Sequence, residues 1–269
     1  MKNLLLALAL LSAVPALAQT KKKTTTKKTT VVKKKAPVKA TTKKTTATKP
    51  TAAAPTPAPA PVAPLTEAEA ASGLREALTT GITKAVGFAS EKDGFNLNDD
   101  IRIPFPPDAQ LVATTLGALP GPIGKQAVEQ ATNLMNRAAE AAAPAAKDIF
   151  LNALQNLSLS DALSLVTSGS KDAATQLLRK NSETALNAAL RPSIVQSLDQ
   201  VGANAAYAKL IERYNKIPLV TPANASLTDY VTKETVDGLF VLLAQQEAKI
   251  RQNPAAQSTA LLKRVFGAK

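Results

Sequence analysis

The stretch LTEAEAASGLREALTTGITKAVGFASEK, residues 65–92, marks the change from one kind of polypeptide to another. Thr66 and Glu69 stand three residues apart at its start. That is the spacing of a capping box, in which two side chains each satisfy a free backbone N–H in the first turn of a helix. Leu74, Leu78, Ile82, Ala85 and Ala89 then recur at helical spacing and form one apolar stripe to about Lys92. Gly73, Gly81 and Gly87 weaken such a helix, and they predict close approach of neighbouring elements rather than a site.

On the N-terminal side this pattern stops. Residues 19–64 are dominated by Lys and Thr up to about Lys49 and then by TAAAPTPAPAPVAP, a Pro/Ala segment that favours extended polyproline II geometry. With almost nothing to build a core, the segment is expected to be a disordered linker. At about 3.1 Å per residue its Pro/Ala half spans some 40 Å. Ahead of it, residues 1–18 read MKNLLLALALLSAVPALA, with one lysine, a short apolar middle and small residues at the exit. These are the parts of a secretory signal peptide, with cleavage expected after Ala18. The apolar core is short of the roughly 20 residues of a membrane span, and no cysteine follows to take a lipid. An uncleaved anchoring helix is the alternative. The later apolar run VDGLFVLLA, residues 236–244, contains an acid and a glycine and passes at once into QQEAKIRQ. The mature chain is therefore expected without a transmembrane anchor, exported to the periplasm or cell envelope.

The chain has 33 basic and 20 acidic residues, for a net charge of +13. Their distribution matters more than the sum. The first acid is Glu67; residues 1–64 carry 13 lysines, and residues 65–269 carry 20 basic and 20 acidic residues. The surplus belongs to the tail and the body is balanced. A nucleic-acid-binding surface concentrates Lys and Arg on a folded face, often with aromatic side chains for stacking. The basic run has neither Arg nor an aromatic residue, so no nucleic-acid partner is expected. An exported polycation meets anionic lipid headgroups, acidic glycans and envelope phosphates first. The tail then reads either as an electrostatic tether and spacer on an anionic envelope surface or as a solvated linker that keeps the chain soluble.

Cys, His and Trp are all absent. Thiolate catalysis, a Ser-His-Asp arrangement, the usual zinc sites and a histidine pH switch are thereby closed. Carboxylate, Lys and Tyr chemistry remain.

On the C-terminal side of the first helix, DGFNLNDDIRIPFPP, residues 93–107, cannot be helical. Its prolines and alternating Ile101, Ile103 and Phe105 predict an extended strap across the body. Asp93, Asn96, Asn98, Asp99 and Asp100 invite a calcium reading, but the spacing is not that of an EF-hand loop, and turn formation is the expectation. Asp108 is placed to cap a short helix through Leu116. Gly124-Lys125 superficially resembles a phosphate loop, but Leu119 stands where its first glycine belongs and Gln126 replaces Ser or Thr. Further helices are predicted over residues 124–142, 144–156, 160–166, 172–190, 192–201, 203–216, 228–252 and 254–266. Pro144, Pro192 and Pro254 fit first helical positions, and Gly202 and Gly267 fit helix exits. The fold class is all-α: a single bundle of about eight to ten helices, with no cofactor and no metal site expected.

Several stretches carry a resemblance. They are DGF with IRIPFP (93–106), MNRAAEAAAPAAKDIF (135–150), DAATQLLR (172–179), ALRPSIVQSLDQVG (189–202), YNKIP (214–218), and LTDYVT with DGLFVLLAQQEAKIRQNPAAQSTALLKRVFG (227–267). In these the body resembles the exported bacterial proteins grouped as domain of unknown function 4197. The resemblance covers nearly all of residues 65–269 and implies an exported helical domain. It brings no catalytic residues to carry over, and the Lys/Thr and Pro/Ala leader lies outside it.

A few charges sit close to apolar stripes: Arg102 in the strap, Arg137 and Glu140, Lys147 and Asp148, Arg191 beside Pro192, and Asp237 between Val236 and Phe240. A charge on an apolar face must be paired or it costs several kcal/mol. Arg102, Arg137, Asp148, Arg191 and Asp237 therefore read in one of two ways. Either they form separate structural pairs that pin the strap and the helix ends, or they converge on a cleft for an anionic ligand. A carboxylate pair for hydrolysis is not fixed by any motif. Tyr207, Tyr214 and Tyr230 are expected in the core. Two functions follow: a non-enzymatic envelope module tethered by its basic tail, or a periplasmic binder of a small anionic ligand or carboxylate-dependent hydrolase.

Overall fold

In the computed structural model, which describes residues 63–119, 123–223 and 226–267, Thr66 caps the start of the first helix as its spacing predicts. The Glu69 N–H donates to Thr66 Oγ1 (3.2 Å) and the Thr66 N–H donates back to the Glu69 carboxylate (3.0 Å). The predicted signal peptide, residues 1–18, and all but the last two residues of the predicted linker, residues 19–64, lie outside the described residues. Helix α1, Glu67–Ser90, buries Leu74, Leu78, Ile82, Ala85 and Ala89 along one face. After the strap, a 3-10 turn at Pro107–Ala109 leads into α2, Gln110–Gly117. Asp108 does not cap α2. Pro107, with its fixed φ, starts the turn one residue earlier, and Asp108 falls inside it.

The remaining helices are α3 (Ile123–Gln155), α4 (Ala162–Thr167), α5 (Ala173–Gln200), α6 (Ala203–Asn215), α7 (Thr228–Gln252) and α8 (Ala260–Phe266). Two predicted breaks are absent, because α3 runs through Pro144 and α5 through Pro192. Proline inside a helix costs about 3 kcal/mol through a lost bond and a ring clash. Both prolines face solvent, where water can meet the freed carbonyls. On the opposite side the apolar stripes continue in phase across them: Ala139, Ala143, Ala146 and Phe150 in α3, and Leu186, Leu190, Ile194 and Leu198 in α5. Burial of those stripes at about 25 cal/mol per Å² outweighs the local cost. The third predicted proline start also shifts. Pro254 opens a separate 3-10 turn, Pro254–Ala256, and Thr259 restarts the chain as α8 by accepting from the Leu262 N–H. The buried Gln257 holds that turn against the end of α7 by donating to the Ile250 carbonyl (3.1 Å). Gly202 is the left-handed exit of α5, with φ +77°, a conformation that glycine adopts without a Cβ penalty.

The four long helices close a ring: α3 packs chiefly on α1 and α5, and α7 packs on the same two. Their shared interior contains Leu74, Leu78 and Ile82 from α1, Met135 and Phe150 from α3, Leu178 and Leu190 from α5, and Leu239, Phe240 and Leu243 from α7. Phe150 and Phe240 meet edge to face at 5.1 Å between centroids, a favoured aromatic geometry. Small residues let α1 approach its neighbours. A Cβ at Gly81 would fall 2.8 Å from Leu243 Cδ1 and one at Gly73 would fall 2.6 Å from Val265 Cγ2. Gly87 faces open space and has no such partner. Around the ring, α2 and α6 cover α3, α4 lies on α1, and α8 lies on α1 and α7. The fold is all-α, and the described residues include no strand.

Candidate functional site

The strap is extended only from Arg102 onward. Residues 93–101, expected to be extended too, are a run of turns in which the Leu97 N–H donates to the Asp93 carbonyl and the Arg102 N–H to the Asn98 carbonyl, because Asp and Asn favour turns over strand geometry. With no strand beside it, the backbone polar groups those turns leave free must find partners elsewhere. Side chains of α3 supply them. Asn136, fully buried, accepts from the Ile103 N–H and donates to the Ile103 carbonyl, both at 2.8 Å, which imitates one rung of a sheet. One turn on, Glu140 Oε1 accepts from the Phe95 and Asn96 N–H groups at 3.2 Å each, while its other oxygen takes Arg137 at 2.7 Å. Arg137 also reaches Asp93 at 2.6 Å, and Asp93 itself sits at φ +66°. On the other side, Tyr230 donates to the Pro104 carbonyl (3.0 Å) and Gln245 donates to Asp100 (2.8 Å). Burial raises the Tyr230 hydroxyl pKa to about 12, with the Glu234 charge adding to it. Phe95, Ile101, Ile103 and Phe105 are all buried. The first two cross α7 at Gly238, where a Cβ would fall 2.9 Å from the Phe95 ring. Asp93, Asn96, Asn98 and Asp100 thus take part in turns and ties, Asp99 is exposed, and among the described residues no group of three or more acids gathers to hold a metal.

A second polar centre lies deeper. Glu247 is 1% exposed and accepts from the Ala174 N–H (3.1 Å), the Thr175 N–H (2.7 Å) and the Thr175 hydroxyl (2.6 Å). It therefore caps α5 from α7, in place of Asp172, which makes no side-chain cap there. Arg251, one turn along α7, neutralises it through Nε at 2.8 Å and extends to the Leu165 carbonyl at 3.1 Å. Its remaining nitrogen is 2.7 Å from the same carboxylate oxygen but is not aligned for a hydrogen bond, so that contact is ionic. The guanidinium stacks 5.3 Å from the Phe266 ring. Sequence reading misses Glu247 and Arg251. Their signal is an i, i+4 acid–base pair in phase with the apolar positions 239, 243 and 250.

The five residues singled out from the sequence share no partner with one another. Arg102 is exposed, in a groove of about 750 Å³ that Lys125, Glu129 and Thr132 also line. Arg137 ties the strap to α3. Asp148 is exposed on α3. Arg191 pairs with Asp229 at 2.9 Å on the surface. Asp237 pairs with Arg179 and with Lys233, the latter at 2.6 Å, and Arg179 lies over Phe240. Each of these pairs ties two elements or two turns of one helix. Two further grooves flank the N-terminal half of α3, one of about 350 Å³ over residues 126–137 and one of about 590 Å³ between α3 and α6. Among the described residues no helix is long and apolar enough to cross a membrane.

A ring of four long helices, crossed by a strap whose backbone is held in part by buried Asn and Glu side chains, defines an all-helical domain. The chain belongs to the family described as protein of unknown function (DUF4197), which matches residues 64–267. No curated protein and no solved structure matches it.

Proposed function

We propose that this chain is an exported, non-enzymatic interaction module of the bacterial cell envelope, with a lysine-rich arm that holds it to anionic surfaces and a helical body that presents binding grooves. The segregation of charge carries the reading: 13 lysines and no acid in residues 1–64, against 20 basic and 20 acidic residues in the body. Each lysine near an anionic surface contributes roughly 1 kcal/mol, screened by salt, so the arm alone gives attachment that depends steeply on ionic strength. The body adds no comparable field. Its carboxylates are largely committed: Glu140 and Glu247 to backbone N–H groups, Asp237 and Glu69 to arginines.

The test is cosedimentation of the mature chain with vesicles containing anionic lipid, against zwitterionic vesicles, over a salt series. Binding to the anionic vesicles is expected to fall as salt rises and to vanish on deletion of residues 19–64. Equal binding by the deletion variant would refute the tether.

A further inference from the structure

We propose that the groove between α3 and α6 binds an amphiphilic anion: a molecule with one carboxylate or phosphate head and an aliphatic body. Lys209 and Arg213 stand one turn apart on α6 and both line the groove. Like charges at i, i+4 oppose one another by a few tenths of a kcal/mol. Several cations elsewhere on the body are answered, Lys216 by Glu212, Lys233 by Asp237, Arg179 by Glu183 and Asp237, and Arg264 by Glu69. What sets Lys209 and Arg213 apart is that they stand together in one groove. Neither Lys209 nor Arg213 enters an ion pair among the described residues. The nearest acid in the chain, Glu212, is taken by Lys216. The facing wall from α3 contributes Gln126 and Gln130, amide donors that bring no charge, and no carboxylate lines the groove.

The floor between these walls is apolar. Leu134, Val201 and Ala206 are half-buried, packed on the core on one side and open on the other, with the buried Leu210 beneath. A volume of about 590 Å³ falls within the roughly 300–1,000 Å³ of small-molecule sites. An anionic head between Lys209 and Arg213 compensates the two charges, and a hydrocarbon body removes the floor from water. A bare inorganic anion satisfies only the first and a neutral hydrocarbon only the second. The groove at Arg102 fits this ligand less well, since Glu129 lies in it beside Arg102 and Lys125.

This inference is independent of the tether, and residue-resolved NMR on the full-length chain separates the two. Dodecyl phosphate and laurate are titrated below micelle formation, with inorganic phosphate and dodecyl trimethylammonium as controls. At least one of the anionic amphiphiles is expected to shift the amide signals of Gln126, Gln130, Lys209 and Arg213. The one that binds more tightly distinguishes a phosphate-bearing lipid from a fatty acid as the source. Lys209→Ala with Arg213→Ala, at exposed positions that leave the helical circular dichroism unchanged, is expected to weaken binding at least about tenfold. Inorganic phosphate is expected to bind at least about tenfold more weakly than the preferred amphiphile. Shifts confined to residues 19–64, undiminished binding by the double variant, equal binding of inorganic phosphate or of the cationic detergent, or no binding by either anionic amphiphile would each overturn it.

Discussion

Glu247 shows how much one side chain carries here. It sits within the buried stripe of α7, starts α5 and neutralises Arg251, all while almost completely buried. Removing one member of a buried ion pair strands the other, at about 3–5 kcal/mol. Glu247→Ala is therefore expected to lower the unfolding free energy by that amount in urea denaturation. Replacing both partners with apolar residues of similar size removes the stranded charge. The Glu247→Leu, Arg251→Met variant is expected to recover most of the loss, leaving a deficit of about 1 kcal/mol from the uncapped amides of Ala174 and Thr175. Recovery of nothing would show that packing, and not charge, sets the cost. Asn136 and Glu140 follow the same logic on α3, because they stand in for a missing strand.

The elements differ in how plainly they can be read beforehand. The start of α1 is legible because a capping box is local: Thr66 and Glu69 need only each other. The strap is legible because three prolines forbid a helix. Pro144 and Pro192 mislead because their effect is decided by what lies across the helix from them, which is the continuing stripe of α3 against α1 and α5 and of α5 against α3 and α7. Asp172 misleads for the same reason, since its capping place is taken by Glu247 more than 70 residues away. Of the candidate charges, Arg137 is placed well by its neighbour Glu140, whereas Asp148, Arg191 and Asp237 are close to apolar stripes in sequence and apart in space. If Pro144 is tolerated and not required, Pro144→Ala restores a helical N–H inside α3. Thermal unfolding is then expected to move upward, by an amount corresponding to about 1–3 kcal/mol. A lower melting temperature would assign the proline a role in bending α3 round the ring.

Across the whole molecule, the first and last helices are tied by Glu69 and Arg264, at 2.7 Å. The Arg264 hydrogen bond, followed by the backbone and hydroxyl groups of Thr66, lowers the Glu69 pKa from the ordinary 4.5 to about 2. The folded state thus prefers the ionised carboxylate. Its contribution is fully present above about pH 4.5 and is lost as pH falls toward 2. The protection of α8 amides, exchange relative to the unfolded chain at the same pH, is expected to fall across that window in the native chain, and to be lower already at neutral pH in Glu69→Gln. Identical acid profiles for the two proteins would remove this pair as the latch.

Arg264 also reaches the Ala63 and Pro64 carbonyls, at 3.3 and 3.5 Å, so the polypeptide enters the domain within a side chain's reach of where it leaves. A domain whose two ends are neighbours presents a single point of attachment. Whatever is joined to it before residue 63 or after residue 267 meets the body at the same corner.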